Sequence, residues 1–173
     1  MPKRKIVRAG LAITIFGFIW FAVQLSLAVS TAAPRFQDYP VPQKDAFRGR
    51  SAPVNFSTDP DSLRFQTELN AGTAKGPNFA GHIAAISWHC GTNCQVTAFV
   101  NVRTGDIIRQ SIISNIGVAF RQNSRLFIAD PSEQRDPDAP PDCISCGQTA
   151  YYLWQDDRLV PIGLGPHIHL RSW

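Results

Sequence analysis

From His82 the chain alternates with a period of two. His82, Ala84, Ile86, Trp88 and Cys90 fall on one side of an extended strand, and Ile83, Ala85, Ser87 and His89 on the other. Gly91-Thr92-Asn93 reverses the chain, and Val96 to Val102 repeats the pattern, with Val96, Ala98, Val100 and Val102 on one face and Phe99 on the other. Arg103-Thr104-Gly105-Asp106 reads as a tight turn with glycine where a positive φ is needed, and Ile107-Ile108 opens a third strand. Val118 to Arg121, the polar turn Gln122-Asn123-Ser124 and Leu126 to Ala129 predict another hairpin. Thr149 to Trp154, the turn Asp156-Asp157 and Leu159 to Ile162 predict the last one.

A helical period shows once. Thr58 or Asp59 can cap it, Pro60 suits the first helical position, and Asp61 favours the positive end of the helix dipole. Leu63 and Leu69, with Phe65 or Gln66 between them, give an incomplete apolar stripe, and Ala71-Gly72 is the predicted stop. The expected fold is mainly β, of the α+β class: an antiparallel meander of about six or seven strands with one short helix packed on it. The strand-turn-strand units are too few for a propeller.

The ends read differently. Residues 1–33 have a basic start at Lys3, Arg4, Lys5 and Arg8, then an apolar run from Leu11 to Val29 interrupted by Thr14, Gln24 and Ser26, then small residues at Ser30 to Ala33. That is the order of a secretory signal peptide, with Ala28-Val29-Ser30 and Ser30-Thr31-Ala32 both fitting the small-residue rule for cleavage. The apolar run is also close to the ~20 residues that span a bilayer, so the alternative is an uncleaved N-terminal anchor. In both cases the basic end stays in the cytoplasm and the remainder is exported, to the periplasm or beyond the cell, and the membrane is met only through this segment. Residues 34–53, with Pro40, Pro42 and Pro53, read as an extended arm carrying an edge strand around Phe36 to Val41 and leading to a short strand at Val54 to Phe56. Residues 54–173 are then a single disulfide-containing β-rich domain.

Charge follows from this division. The chain carries 17 Lys+Arg against 13 Asp+Glu. All four basic residues before Arg35 belong to the leader, so what remains is neutral. A neutral domain has no electrostatic footprint for nucleic acid, and that class of partner is excluded.

Export also decides how the cysteines read. Cys90, Cys94, Cys143 and Cys146 in an oxidising compartment point to two disulfides, local or crossed. Local bridges close short loops and stabilise by about 2 kcal/mol each, whereas a bridge from Cys94 to Cys143 would contribute about 4. Cys143-Ile144-Ser145-Cys146 has a redox and a zinc spacing. It follows Pro140, Pro141 and Asp142, however, with no helix N-terminus or cation to stabilise a thiolate. The acids of Asp136 to Asp142 resemble a calcium loop only in number, since the prolines and missing glycine depart from the pattern. His167 and His169 share a face in the tail, but no metal or other cofactor is expected. The alternation sends His82 and His89 to opposite faces and puts His82 with Trp88 on one. The candidate binding residues are therefore Asn78, His82 and Trp88, beside the Cys90 to Cys94 hairpin. No nucleophile elbow, phosphate loop or carboxylate pair marks a catalytic residue.

Gly76-Pro77-Asn78-Phe79-Ala80-Gly81-His82, followed by Trp88-His89-Cys90-Gly91-Thr92-Asn93-Cys94, resembles an uncharacterised family of small exported bacterial proteins. The likeness extends to Arg64-Phe65-Gln66-Thr67, Arg103-Thr104-Gly105, Asn123-Ser124-Arg125-Leu126 and Tyr151-Tyr152-Leu153-Trp154, covering roughly Phe36 to Ile162. His89 stands where that family usually has glycine. The resemblance implies export and one domain, and it supplies no mechanism. The expected function is a non-catalytic binding or envelope-interaction module, with a protein or small ligand of the envelope or exterior as partner. Two alternatives are an envelope enzyme or metal- or thiol-handling protein using His82 and the cysteines, and an inhibitor of an envelope-directed hydrolase.

Overall fold

A computed structural model describes residues 33–138 and 148–163. Residues 1–32, which hold most of the segment read above as a leader, together with Cys143, Cys146, His167 and His169, lie outside the described residues. Among those described, no helix is long and apolar enough to cross a membrane.

Among the described residues, seven strands and one short α-helix form the fold, the mainly β arrangement that the sequence pattern predicts. The expected single meander is in fact two consecutive ones. Strands β1 (Ile83–Gly91), β2 (Cys94–Asn101) and β3 (Ile107–Ser114) make an antiparallel sheet in the order β1-β2-β3. Strands β4 (Val118–Phe120), β5 (Leu126–Ala129), β6 (Ala150–Gln155) and β7 (Arg158–Gly163) make a second, ordered β4-β5-β6-β7. The break between them has a local cause. Asp130, buried and at φ 48°, accepts hydrogen bonds at Oδ1 from the amides of Asn115 and Ile116, both at 2.7 Å, and its own amide donates to the Gly117 carbonyl. These bonds fold 115–117 into a corner, so β4 leaves β3 and pairs with β5.

The two sheets stack on an aromatic core. Ile83, Ala85, Phe99 and Ile112 from the first sheet meet Phe127, Ala129, Tyr152, Trp154 and Leu159 from the second. Phe79, fully buried, sits among Phe99, Phe120, Phe127 and Trp154 with ring centroids 5.6 to 6.0 Å away. Burial, with the Asp130 charge nearby adding to it, pushes the Tyr152 hydroxyl above the ordinary phenol range. The opposite face of the first sheet carries Ala84, Ile86, Ala98, Val100, Val102 and Ile107. The even positions of β1 and β2 therefore face one core and the odd positions the other, which is why Ile83 to Ile86 is buried without interruption.

Helix α1 (Gln66–Ala74) covers that second face, placing Leu69 on Ala84 and Ile86. Pro60 starts a 3-10 helix over Pro60–Phe65, which continues into α1. The Asp59 side chain bonds the Ser62 hydroxyl rather than a backbone amide, and the Thr58 hydroxyl is used by β3, accepting from the Ile107 amide at 3.0 Å. Ala71-Gly72 does not stop the helix. A Cβ at Gly72 would lie 2.5 Å from Ile86 Cγ1, so this glycine lets helix and strand approach closely. The stop comes four residues later at Gly76, with φ 89°.

The arm is bonded to the body at several levels. Val41 N donates to Asn123 O at 3.1 Å, Arg125 N to Tyr39 O at 2.8 Å, Phe47 N to Gly81 O at 2.9 Å and Ala52 N to Val102 O at 2.9 Å. The edge strand expected around Phe36 to Val41 is instead a 3-10 turn, Phe36–Asp38, followed by the single bridge Pro40–Ser124. Pro40 and Pro42 have no amide to extend a ladder. Val54 to Phe56 is likewise one parallel bridge, Asn55–Asp106, running into a 3-10 turn at Phe56–Thr58 because the Asn55 side chain takes the Ser57 amide.

Candidate functional site

The Gly76 to His82 segment is a re-entry into β1. Gly76 at φ 89° and Pro77 bring the chain back from α1, and Ala80 at φ 46° with Gly81 at φ 82° reverse it again. Between these turns the chain runs beside the first residues of β1. Asn78 N donates to Ile83 O at 3.0 Å, and Phe79 and Ile83 exchange both backbone bonds at 3.0 Å. The Asn78 side chain then adds one more rung: Nδ2 donates to Ala85 O at 2.9 Å and Oδ1 accepts from Ala85 N at 2.8 Å. A carboxamide offers one donor and one acceptor at the spacing of a backbone residue, so Asn78 acts here as a surrogate strand. Asn78→Ala leaves a buried amide and carbonyl of Ala85 without partners and is expected to cost about 2 kcal/mol in chemical denaturation. Faster hydrogen exchange at the Ala85 amide should accompany it, and an unchanged rate there would contradict this role.

His82 is buried, 9% exposed, at the mouth of β1. Its Nε2 lies 3.7 Å from Asp157 Oδ1 in the β6–β7 turn, where Asp156 and Asp157 hold φ of 50° and 54°. Its Nδ1 is buried with no hydrogen-bond partner among the described residues. Trp88 is half-buried and packs on Phe65, with centroids 4.8 Å apart, while the Arg64 guanidinium sits 4.9 Å from the Phe65 centroid. His82 and Trp88 share a side of the extended chain as the alternation predicts, yet six residue steps along it separate them by about 20 Å. Asn78 bonds the strand between them. The three predicted binding residues occupy three places and form no common pocket.

What gathers around Trp88 is the far end of the β1–β2 hairpin. Cys90 and Cys94 are joined by a disulfide with Cα atoms 5.1 Å apart, so this pair is local. They are not directly opposite: His89 pairs Gln95, Gly91 pairs Cys94, and Cys90 is the extra residue of a bulge. The reversal is shorter than expected, with only Thr92 and Asn93 between the strands and Asn93 at φ 51°. Ser87 and His89 to Asn93 are exposed, in contrast to the buried first half of β1. Ser87 is paired through its hydroxyl with that of Thr97 at 2.7 Å.

Two residues that the sequence pattern assigns only to the helix stripe matter here. Phe65 backs Trp88, and Leu63, 53% exposed, stands two residues earlier on the same 3-10 helix. The usable signal was Leu63-Arg64-Phe65 itself, an apolar pair too closely spaced for one stripe of an α-helix. Two open depressions lie elsewhere. One of about 430 Å³ is lined by Arg50, Ser51, Val54, Asn70 and Thr73, and one of about 570 Å³ by Phe47, Arg48, Gly81, Gln122 and Asn123. Neither is lined by Asn78, His82 or Trp88. Among the described residues no three His, Cys, Asp or Glu side chains gather to hold a metal.

No family model matches the chain, nor does any curated protein or solved structure.

Proposed function

We propose that this chain is a small exported binding module with no chemistry of its own, which meets its partner with the disulfide-closed end of the β1–β2 hairpin. The observation that carries the reading is the change along β1: four buried residues, Ile83 to Ile86, then an exposed stretch pinned by Cys90–Cys94 and backed by Trp88 on Phe65. A half-buried aromatic pair beside exposed backbone suits recognition, because rings contribute large contact area for little lost side-chain freedom. Three of the groups that catalysis could draw on are already engaged: the Asn78 amide in a ladder, Ser87 with Thr97, and Cys90 with Cys94. Export is supported by the basic, apolar and small-residue order of the leader. An envelope-directed hydrolase, held by an inhibitory hairpin, is one kind of partner this surface suits.

A photo-crosslinking residue placed at His89 in the native host tests the reading. A discrete protein adduct should form from position 89 and not from the exposed Arg109 on β3. Adducts formed equally at both positions, or at neither, would remove the hairpin as the binding surface.

A further inference from the structure

We infer that the free edge of β1 at Ser87 and His89 binds an extended polypeptide segment of its partner by strand addition. This rests on the binding-module reading and specifies its mode. The first step is the direction of the backbone groups. Ile83 exchanges its amide and carbonyl with Phe79, and Ala85 gives both of its own to the Asn78 side chain. Both residues thus point their hydrogen-bonding groups away from β2. The even residues point towards it, as the bond from Val102 N to His82 O shows at 3.0 Å. The pairing of β1 with β2 runs without a register shift from Ile83 to His89, so the same parity holds at Ser87 and His89. The close Ser87–Thr97 hydroxyl contact belongs to such a pair, in which side chains approach across the strands while backbone groups face outward.

The second step is what occupies that edge. Gly76 to Phe79 lies along it as far as Ala85 and then turns away at Gly76-Pro77 towards α1. Among the described residues nothing continues the ladder beside Ser87 and His89, and both are exposed. This stretch of edge is the continuation of one that an extended segment of this chain already fills. Its chemistry is two amide donors and two carbonyl acceptors at strand spacing, which an extended peptide main chain matches. One flank of this stretch is Trp88 with Phe65 and the other is Ser87 with His89. The preferred segment therefore alternates, with an apolar side chain on the Trp88 flank and polar ones on the other. The other sheet offers less at its outer edge. There Leu159 N donates to Gln110 Oε1 at 2.8 Å, with Gln110 Nε2 at 3.5 Å from Leu159 O, and Pro161 has no amide.

The test uses the full chain, oxidised, and the tightest binder from a library of random linear octapeptides. Binding should slow hydrogen exchange of the Ser87 and His89 amides at least roughly tenfold. N-methylation along the peptide should weaken binding at alternate positions only, since every second amide faces β1. His89→Pro removes an outward amide and no β1–β2 bond, and should lower affinity at least roughly tenfold with tryptophan fluorescence and circular dichroism unchanged. The N-methyl series leaves the protein intact and decides the matter if that variant misfolds. Several outcomes overturn the inference: no binder from the library, peptides that leave both amides exchanging freely, or N-methyl effects without a period of two. Protection of the same amides by raising protein concentration alone also overturns it, in favour of a second copy of this chain. A site-specific adduct from His89 together with unprotected amides would overturn strand addition and leave the binding module standing.

Discussion

Phe79→Ala is expected to lower stability by about 3–5 kcal/mol, near the upper end for one core truncation. Four rings surround Phe79, and they come from different elements: Phe99 on β2, Phe120 on β4, Phe127 on β5 and Trp154 on β6. None can move into the void without leaving its own strand register, so the cavity term stays largely unrelieved. A domain of this size is stable by about 5–15 kcal/mol, so the loss is a large fraction of the total. The urea midpoint should fall by about 2 M with little change in slope. Phe120, only half-buried and stacked on Phe127 at an interplanar angle of 5°, should cost distinctly less when truncated. Equal losses at the two positions would show that Phe79 is not the hinge of the aromatic cluster.

Gly105→Ala, in the β2–β3 turn, is expected to lower stability by about 3 kcal/mol or more. Two costs combine. The backbone there has φ 82°, which an L-residue adopts at about 1–2 kcal/mol. A Cβ would also fall 1.9 Å from the Pro53 carbonyl oxygen, so the arm must shift. That shift strains the bond from Asn55 N to Gly105 O at 2.8 Å and the one from Asn55 Nδ2 to Asp106 Oδ1 at 3.0 Å. Gly76→Ala separates the two costs. It has nearly the same φ, 89°, with nothing within 4 Å of the new atom, and should lose only the conformational part, about 1 kcal/mol. Denaturation midpoints that coincide for the two variants would mean that the arm yields freely at Pro53.

The alternation from His82 to Val102 was enough to assign faces, and the faces are correct: Ala84, Ile86, Val100 and Val102 meet the helix, while Ile83, Ala85 and Phe99 meet the second sheet. What alternation cannot carry is which strand pairs with which. The separation of β3 from β4 depends on Asp130 bonding Asn115 and Ile116, an interaction between residues about fifteen apart with no periodic trace. Gly72 lies outside what the pattern can decide, because a glycine that stops a helix and one that lets a strand approach look alike in sequence. Asn78 posed the same difficulty, since an amide paired with a backbone residue cannot be told from one pointing into a pocket. His82 and Trp88 are different. Their separation of six residue steps along an extended chain already implied about 20 Å, and sharing a face did not make them neighbours.

The cystine at Cys90–Cys94 gives the hairpin a second source of order. Through the body of the fold, conformation is held by burial. At Gly91 to Asn93 every residue is exposed, and covalent closure of the loop stands in for the missing core. On the reading proposed above, a partner arriving at this end meets a surface with little conformational entropy left to lose. Affinity there can rest on a few contacts, because the ordering that usually opposes association is complete before the encounter.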